Sequence, residues 1–151
     1  MRKGCKQLLM EEADYRWLEK GLRGIGFPVK LGLKQMAGIL PYLQLEECPN
    51  RCVVCKEGTK GDHFYLIYKG RVEVLKKGWR KPIAQLKPGE FFGEMSLLSG
   101  RRHSATVRTL KTSRFFRLKS KDFLKILRRN PSVSRAIHKI AEERRGRLAR
   151  K

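Results

Sequence analysis

The sequence predicts a mainly β domain with helices before and after the strands. Between about residues 46 and 118, short segments of strand composition alternate with turns that contain glycine, which adopts the positive φ angles of tight hairpins. Residues 8–23 and 120–148 instead repeat apolar side chains at helical spacing. Several short strands at close, regular intervals are typical of a sandwich or barrel and not of a parallel α/β sheet.

Six strands are expected in the central region. They are rich in β-branched and aromatic residues, and turn residues such as Gly58, Gly70 and Pro88-Gly89 lie between them. The predicted strands are 51–56, 63–68, 71–76, 82–86, 104–110 and 113–118.

Two helices are expected before the strands. The first covers residues 8–23, where apolar residues alternate with charged ones at helical spacing. Three residues that break helices follow it: Gly24, Gly26 and Pro28. The second helix covers residues 32–40 and is stopped by Pro41. The chain is therefore divided into a basic N-terminal helix, residues 1–24, and a second unit, residues 25–151.

Two more helices are expected after the strands. Ser120 can cap the first of them. Asn130 and Pro131 suit the N-cap and first helical position of the second. The second helix carries an apolar stripe at spacings of three and four: Val133, Ala136, Ile137, Ile140 and Ala141. This stripe can pack on the strands or on a second copy of the chain, so a homodimer through the C-terminal helix is permitted.

The composition favours anionic partners. Lysine and arginine number 36 against 14 aspartate and glutamate, which gives a formal net charge of +22 over 151 residues. Such a surplus favours nucleic acid, acidic proteins, anionic membrane surfaces or phosphorylated small molecules. No apolar run approaches the ~20 residues that cross a bilayer, and the apolar stretch 8–10 is too short for a signal-peptide core. We therefore expect a cytoplasmic protein without a membrane span.

Three of the four cysteines lie close together in sequence. Cys48, Cys52 and Cys55 have a spacing that can share a zinc ion. Two observations count against such a site. His63 is the nearest candidate for a fourth ligand, and residues three apart in the predicted strand 51–56 point to opposite faces. Buried, reduced thiols are the expected alternative, and no metal is predicted.

The segment 91–107 carries the chemistry of the chain. A short apolar turn, residues 95–98, follows Gly93 and Glu94 directly. A short helix that begins there presents unpaired backbone N–H groups, which suit an anion. Gly93 lets a ligand approach the backbone, and the Glu94 carboxylate can accept a hydrogen bond from a sugar hydroxyl.

Four motifs, in order, resemble the cyclic-nucleotide-binding domain family, which includes regulatory subunits of cAMP-dependent kinase, catabolite-activator proteins and cyclic-nucleotide-gated channels. The resemblance covers about residues 25–145. It implies an eight-stranded, jelly-roll-like β-roll over about residues 46–118, with C-terminal helices over about 119–148. The motifs are Glu57-Gly58-x-x-Gly61-Asp62-x-Phe64-Tyr65-x-Ile67, Gly70-x-Val72-x-Val74, Pro88-Gly89-x-x-Phe92-Gly93-Glu94 and Ser104-Ala105-Thr106-Val107.

The resemblance also implies a ligand site. In the family, the glutamate takes the ribose 2′-hydroxyl, and the small residues before the next strand close a cradle around the cyclic phosphate. An arginine just before the Ser-Ala pair binds the phosphate, and His103 stands at that position here. The expected ligand-binding residues are Phe92, Gly93, Glu94, Met95, Ser96, Arg102, His103, Ser104 and Ala105.

His103 is a departure from the family pattern. An arginine is always charged and meets a phosphate with two parallel hydrogen bonds, whereas a histidine makes one contact and is mostly neutral at pH 7. Loss of a charged hydrogen bond costs about 1.5–3 kcal/mol of binding free energy. Arg102, one position earlier, is the alternative phosphate partner.

The sequence therefore predicts a regulatory module that binds cAMP or cGMP and is not an enzyme. In the family, binding moves the helix after the roll, here residues 119–129, and the next helix, residues 131–148, can cap the base. The choice between cAMP and cGMP stays open, since the Ser104 hydroxyl could serve a guanine amino group or the phosphate. Two alternatives also remain: a degenerate fold that serves as a structural or partner-binding module, and a basic nucleic-acid-binding protein.

Overall fold

The computed structural model describes residues 4–23 and 31–149 and has nine strands and five α-helices in that part of the chain. The predicted helix break at Gly24, Gly26 and Pro28 lies outside the described residues. In chain order, the elements are β1 (Lys6–Leu8), α1 (Glu12–Arg23), α2 (Leu33–Ile39), a 3-10 turn (Leu40–Tyr42), β2 (Gln44–Cys48), β3 (Val53–Cys55), β4 (His63–Lys69), β5 (Val72–Leu75), β6 (Ala84–Leu86), β7 (Phe91–Phe92), α3 (Glu94–Ser99), β8 (Thr106–Thr109), β9 (Ser113–Lys119), α4 (Ser120–Arg129) and α5 (Pro131–Ala149).

The strands form two antiparallel sheets, which confirms the mainly β class with flanking helices. The larger sheet has the order β1-β2-β9-β4-β7, and the smaller has the order β3-β8-β5-β6. Strands that neighbour each other in a sheet are often distant in sequence, as with β4 and β9. The result is a β-roll of nine strands in the described residues, one more than the eight expected.

The larger sheet is covered on both faces. Along β4, Phe64, Leu66 and Tyr68 belong to a core that also contains the helices, whereas Tyr65 and Ile67 belong to a core shared with the smaller sheet. This alternation follows from the period of two along a strand. The five central residues of β4 are all buried as a result.

The helices pack on the outer face of the larger sheet. From α1, Leu18 enters this core, and from α4, Phe123 stacks on Phe64 with 4.6 Å between ring centroids. Val133 and Ile137 of α5 lie in the same core. The apolar stripe predicted on the last helix is therefore used within the chain.

The prediction that the first helix begins at residue 8 was wrong. Residues 6–8 form β1, which pairs with β2 through contacts such as Leu8 opposite Leu45. The helix begins only at Glu12 because a local hydrogen bond marks its start: the Glu11 backbone N–H donates to the Asp14 carboxylate at 2.8 Å. A side chain in the first turn that accepts from the backbone N–H three residues earlier is one half of a capping box, which is typical of a helix N-terminus.

The N-cap prediction for α4 was also wrong, whereas the one for α5 was correct in position. Ser120 is the first residue of α4 and Lys119 is its N-cap, because the Ser120 backbone N–H donates to the Asp62 carbonyl at 2.9 Å. Pro131 begins α5 as predicted. Asn130 precedes it, and its backbone carbonyl accepts the first hydrogen bond of α5, from the Ser134 N–H at 3.0 Å, as an N-cap carbonyl does. Its side-chain amide instead donates to the Ile126 carbonyl at 2.7 Å and caps the end of α4.

Six predicted strands are present with bounds within two residues of those expected, whereas β2 and β7 were not predicted as strands. In the described residues, no helix is both long enough and apolar enough to cross a membrane.

Candidate ligand cavity

A cavity opens between the smaller sheet, α3 and the end of α5. About 670 Å³ of space between its walls is not filled by protein, a volume that includes the part open to solvent. Its lining residues are Cys55, Val74, Ile83, Ala84, Leu86, Phe92, Gly93, Glu94, Met95, Ser96, His103, Ser104, Ala105, Val107, Arg144, Arg147 and Leu148.

The turn from β7 into α3 forms one wall. Gly93 has φ of +89° and is the N-cap of α3. A side-chain carbon at this position would lie only 2.8 Å from the His63 carbonyl oxygen. Phe92, just before the turn, stacks on Tyr65 with 4.9 Å between ring centroids. The glycine is therefore needed both for the backbone conformation and for the close approach to β4.

Glu94 is the carboxylate of the cavity and is paired with an arginine from the C-terminal helix. Its side chain is almost fully buried, with a relative exposure of 1%. The Arg144 guanidinium donates to both carboxylate oxygens of Glu94 and lies over the Phe91 ring at 4.9 Å. Burial raises the pKa of the Glu94 carboxyl, and the nearby positive charge of Arg144 opposes that shift.

Ser96 and His103 lie on the same side of the cavity. A side-chain carbon built at Gly61 would lie 2.0 Å from the Ser96 hydroxyl oxygen and 3.2 Å from Cε1 of the His103 ring. Both side chains therefore pack against the backbone of the loop between β3 and β4. The absence of a side chain at Gly61 leaves them their space.

The segment of residues 103–105 is fixed by backbone hydrogen bonds to the same loop. The His103 N–H donates to the Thr59 carbonyl at 2.8 Å, and its carbonyl accepts from the Gly58 N–H at 2.9 Å. The Lys76 ammonium group donates to the Ser104 carbonyl at 2.8 Å and forms an ion pair with Glu57. This part of the wall is thus held before any ligand enters.

The His103 imidazole is half-buried. Desolvation lowers its pKa below the ordinary value of about 6.5, and the Asp62 carboxylate opposes the shift. The ring is therefore neutral at pH 7 in the protein without ligand. A bound anion beside it would reverse this preference and favour the imidazolium.

The structure brings together eight of the nine residues predicted to bind ligand: Phe92, Gly93, Glu94, Met95, Ser96, His103, Ser104 and Ala105. The ninth, Arg102, is exposed and does not line the cavity. Its guanidinium donates to the Gly58 carbonyl at 3.1 Å. Because His103 and Arg102 are adjacent at an extended segment, only one of them faces inward.

Sequence reasoning named no site residue in the smaller sheet or in α5, although the family resemblance implied that the helix of residues 131–148 can cap the base. Val74, Ile83 and Leu86 supply apolar walls, and Arg144 and Arg147 supply cations. The two arginines belong to a basic run, residues 144–151. A spacing of three on a helix places them on one face, and that signal could have indicated a shared target.

The arrangement can hold an anionic ligand with an apolar part. The hydroxyls of Ser96 and Ser104 and the His103 ring offer hydrogen bonds at one side. Glu94 can accept a hydrogen bond from a ligand hydroxyl if Arg144 continues to donate to only one of the carboxylate oxygens or moves away from the carboxylate. The aliphatic side chains of the smaller sheet suit a flat, weakly polar group.

Comparison with known proteins points to one family. The family model described as cyclic nucleotide-binding domain matches residues 45–130. The chain is 36% identical over 120 residues to a cyclic nucleotide-gated potassium channel of Mesorhizobium japonicum, covering 80% of this chain and 33% of the channel. It is 33% identical over 104 residues to a cAMP-dependent protein kinase regulatory subunit of Pyricularia oryzae, covering 68% of this chain and 27% of the subunit. The chain thus spans a third or less of these relatives.

Solved structures show the same fold. A cyclic nucleotide-binding domain from Methylobacillus flagellatus superposes with a TM-score of 0.77 at 21% identity, covering 95% of this chain and 84% of that one. The catabolite activator protein of Thermus thermophilus superposes with a TM-score of 0.67 at 29% identity, covering 76% of this chain and 55% of that one.

Proposed function

The chain belongs to the cyclic nucleotide-binding domain family, and we propose that it is a regulatory module that binds a 3′,5′-cyclic nucleotide in this cavity. The observation that carries the proposal is the cavity itself. It combines a buried carboxylate, Glu94, with the serine and histidine side chains of two fixed segments, and its other walls are apolar. A sugar, an anionic phosphate and a flat base need this combination of partners.

In this proposal each wall serves one part of the nucleotide. Ser96, His103 and Ser104 hold the cyclic phosphate, with His103 in the charged form that the phosphate favours. Glu94 accepts a hydrogen bond from the ribose 2′-hydroxyl. The base packs on the apolar residues of the smaller sheet and under the end of α5.

The pair formed by Glu94 and Arg144 links the site to α5. Without ligand, the guanidinium holds both oxygens of the carboxylate. A ribose hydroxyl that donates a hydrogen bond to one of these oxygens competes with Arg144 for it and so changes the contact between Glu94 and α5. Ligand binding then shifts the free energy of the equilibrium between α5 positions by the difference in ligand-binding free energy between those positions.

The role is regulatory, and the module performs no reaction in this proposal. Nothing in the cavity favours the nucleic-acid or ligand-free alternatives. A homodimer through α5 stays a prediction. Val133, Ile137 and Ala141 of its apolar stripe are buried within the chain, so these three side chains do not offer a surface to a second copy.

Calorimetric titration of the purified chain with cAMP and then cGMP tests the proposal. We expect binding of at least one of them with a micromolar or lower Kd. The matched control ligand is 5′-AMP, which carries a second ionisable phosphate oxygen and lacks the ring that the 3′,5′-cyclic phosphate forms with the ribose. The absence of heat with either cyclic nucleotide, in protein whose circular dichroism shows it to be folded, would contradict the proposal.

A variant identifies the cavity as the place of binding. Glu94→Gln keeps the size of the side chain but removes the charge, and we expect it to lose about 1.5–3 kcal/mol of binding free energy. Glu47→Gln is the matched control, because Glu47 lies on β2 and pairs with Arg114 away from the cavity. Equal affinity of both variants would place the ligand elsewhere.

A further inference from the structure

Two cysteines that are close in sequence, Cys48 and Cys52, lie together with the distant Cys5 at the edge of the roll. The Sγ atoms of Cys5, Cys48 and Cys52 all lie within 4.8 Å of one another, and those of Cys5 and Cys52 are 3.3 Å apart. All three side chains are buried. Cys55 lies outside this group and lines the ligand cavity.

The loop that presents Cys52 is held in place by Thr109, a fully buried residue of β8. The Cys52 N–H donates to the Thr109 hydroxyl at 2.7 Å, and that hydroxyl donates to the Pro49 carbonyl at 2.7 Å. The Thr109 N–H in turn donates to the Cys52 carbonyl at 2.9 Å. Cys48 is fixed separately, because it ends β2 and pairs with Ser113 of β9.

The third thiol arrives with the N-terminal strand. Lys6, the residue after Cys5, pairs with Glu47 in the register of β1 on β2. Gly4, the residue before Cys5, has φ of +80°, and a side-chain carbon there would lie 3.0 Å from the Pro49 ring. The chain thus passes tightly over the loop that follows β2. Sites whose ligands are positioned by surrounding contacts lose less entropy when an ion binds.

We propose that Cys5, Cys48 and Cys52 form a three-thiolate site for a soft metal ion, and that Cu(I) is the ion they suit best. Thiolates select soft ions such as Cu(I) and zinc. Zinc is almost always four-coordinate in structural sites, whereas Cu(I) accepts three thiolates in a plane. The described residues bring three cysteine sulfurs together here, and the fourth cysteine is part of the cavity wall.

The charge balance is compatible with the site. Binding releases the proton of each thiol that becomes a thiolate, so one Cu(I) ion and three thiolates leave a group with two negative charges. Loss of the Cys48 proton removes the hydrogen bond that this thiol donates to the buried Glu46 carboxylate at 3.6 Å and brings two negative charges close together. Arg117, which is paired with Glu46, offsets this repulsion.

The position of the site gives it a structural consequence. Cys48 ends a strand of the larger sheet, and Cys52 directly precedes β3 of the smaller sheet. An ion bound there would link the segment that connects β2 to β3, and so connects the two sheets, to the residue that precedes β1. This inference does not depend on nucleotide binding.

A competition titration tests the site. The reduced chain, kept under nitrogen with a phosphine reductant, is titrated with Cu(I) against a chromophoric Cu(I) chelator. We expect one equivalent of Cu(I) per chain. Cys5→Ser and Cys52→Ser should each weaken Cu(I) binding by about a hundredfold or more. Loss of a residue that only hydrogen-bonds to a metal ligand costs about 10- to 100-fold in affinity, and loss of a ligand itself should cost at least as much. Cys55→Ser is the matched control and should bind Cu(I) like the unmodified chain.

Two results would overturn the proposal: no Cu(I) retained against the chelator, or equal affinity in the unmodified chain and Cys5→Ser. X-ray absorption on the unmodified, Cu(I)-loaded chain provides a measurement that does not depend on variants that fold. Three sulfur neighbours support the site. Two sulfur neighbours, or a preference for Zn²⁺ over Cu(I) in the same titration, contradict the three-coordinate assignment.

Discussion

In the proposed function, the charge of His103 sets the conditions under which the cavity holds a phosphate. In the chain without ligand, desolvation lowers the pKa of the imidazole, and the Asp62 carboxylate partly restores it. The neighbouring charges are Arg102, which is turned to Gly58, and the ion pair of Glu57 and Lys76 beside Ser104. A bound phosphate adds a negative charge and raises the same pKa.

The first prediction concerns pH. Desolvation lowers the pKa of His103 without ligand, and a phosphate beside the ring should raise it. Binding should therefore take up a proton at any pH between the pKa of the free protein and that of the complex. Affinity for a cyclic nucleotide should therefore fall as pH rises from about 6 to 8. Calorimetry in buffers with different heats of ionisation measures the proton uptake. A pH-independent affinity would remove His103 from the phosphate site.

His103→Arg should bind more tightly and without this pH dependence. A guanidinium is charged throughout the range and can make two parallel hydrogen bonds. We expect a gain of about 1.5–3 kcal/mol in binding free energy at pH 8, which is a ten- to hundredfold lower Kd. Arg102→Lys is the matched control and should leave affinity and pH profile unchanged. A pH dependence that persists in His103→Arg would mean that another group titrates.

Gly93 is the residue whose replacement should affect both strain and binding. Gly93→Ala places a carbon 2.8 Å from the His63 carbonyl in a backbone with φ of +89°. Gly100→Ala is the matched control, since Gly100 has φ of +71° but open space around it and does not line the cavity. Both variants should lose about 1–3 kcal/mol of unfolding free energy from strain. Only Gly93→Ala should also weaken nucleotide binding in calorimetry.

At the scale of elements, α5 is joined to the site by the ion pair of Arg144 and Glu94. The helix begins at Pro131, packs Val133 and Ile137 in the core and ends with arginines at the cavity. Burial of Glu94 makes its ionisation costly unless Arg144 is beside it. The pair therefore couples the charge of the site to the position of the last helix.

Arg144→Ala should destabilise the chain in a way that depends on pH. The pKa of Glu94 is raised by burial, so ionising it costs folding free energy as pH rises through that value. At pH 8 the unpaired carboxylate should cost about 3–5 kcal/mol of unfolding free energy, and the cost should shrink towards pH 5 as the group takes up its proton. Urea denaturation at both pH values measures this difference.

Arg147→Ala is the matched control for that experiment, because it removes a charge from the same helix and leaves the pair of Glu94 and Arg144 in place. Its destabilisation should be small at both pH values. Hydrogen exchange should show earlier opening of α5 in Arg144→Ala only. Equal behaviour of the two variants would mean that the pair does not anchor the helix.

At the scale of the whole molecule, the larger sheet divides the interior into two cores. One lies under the helices and the other lies between the sheets, next to the cavity. A ligand in the cavity contacts residues from the smaller sheet, from the turn before α3 and from α5. Binding should therefore stabilise the folded chain as a unit.

The expected thermal shift follows from mass action. At a nucleotide concentration of 100 times Kd, stability should rise by about 2.7 kcal/mol, which corresponds to about 5–11 °C in Tm for a chain of this size. Scanning calorimetry with the cyclic nucleotide measures the shift, and 5′-AMP at equal concentration is the control. An equal shift with both ligands would indicate general binding of anions to a basic surface.

Much of the fold could be predicted because its signals are local. Turn glycines and strand composition located six strands, and Pro131 marked the start of α5. The strands β1, β2 and β7 escaped because they are short, or because their pairing partners lie far along the chain. The start of α1 was misplaced because β1 is specified by its pairing with β2 and not by its own pattern.

The sequence by itself determined the class of the fold and two of the segments that line the cavity, 92–96 and 103–105. The residues of these segments meet local requirements: Gly93 adopts a positive φ, and Ser104 and Ala105 have small side chains. Only the tertiary structure decided that Arg144 pairs with Glu94, that Arg102 is turned away, and that Cys5 joins Cys48 and Cys52. These contacts join residues 43 to 50 positions apart, and packing between elements, not spacing along the chain, brings such side chains together.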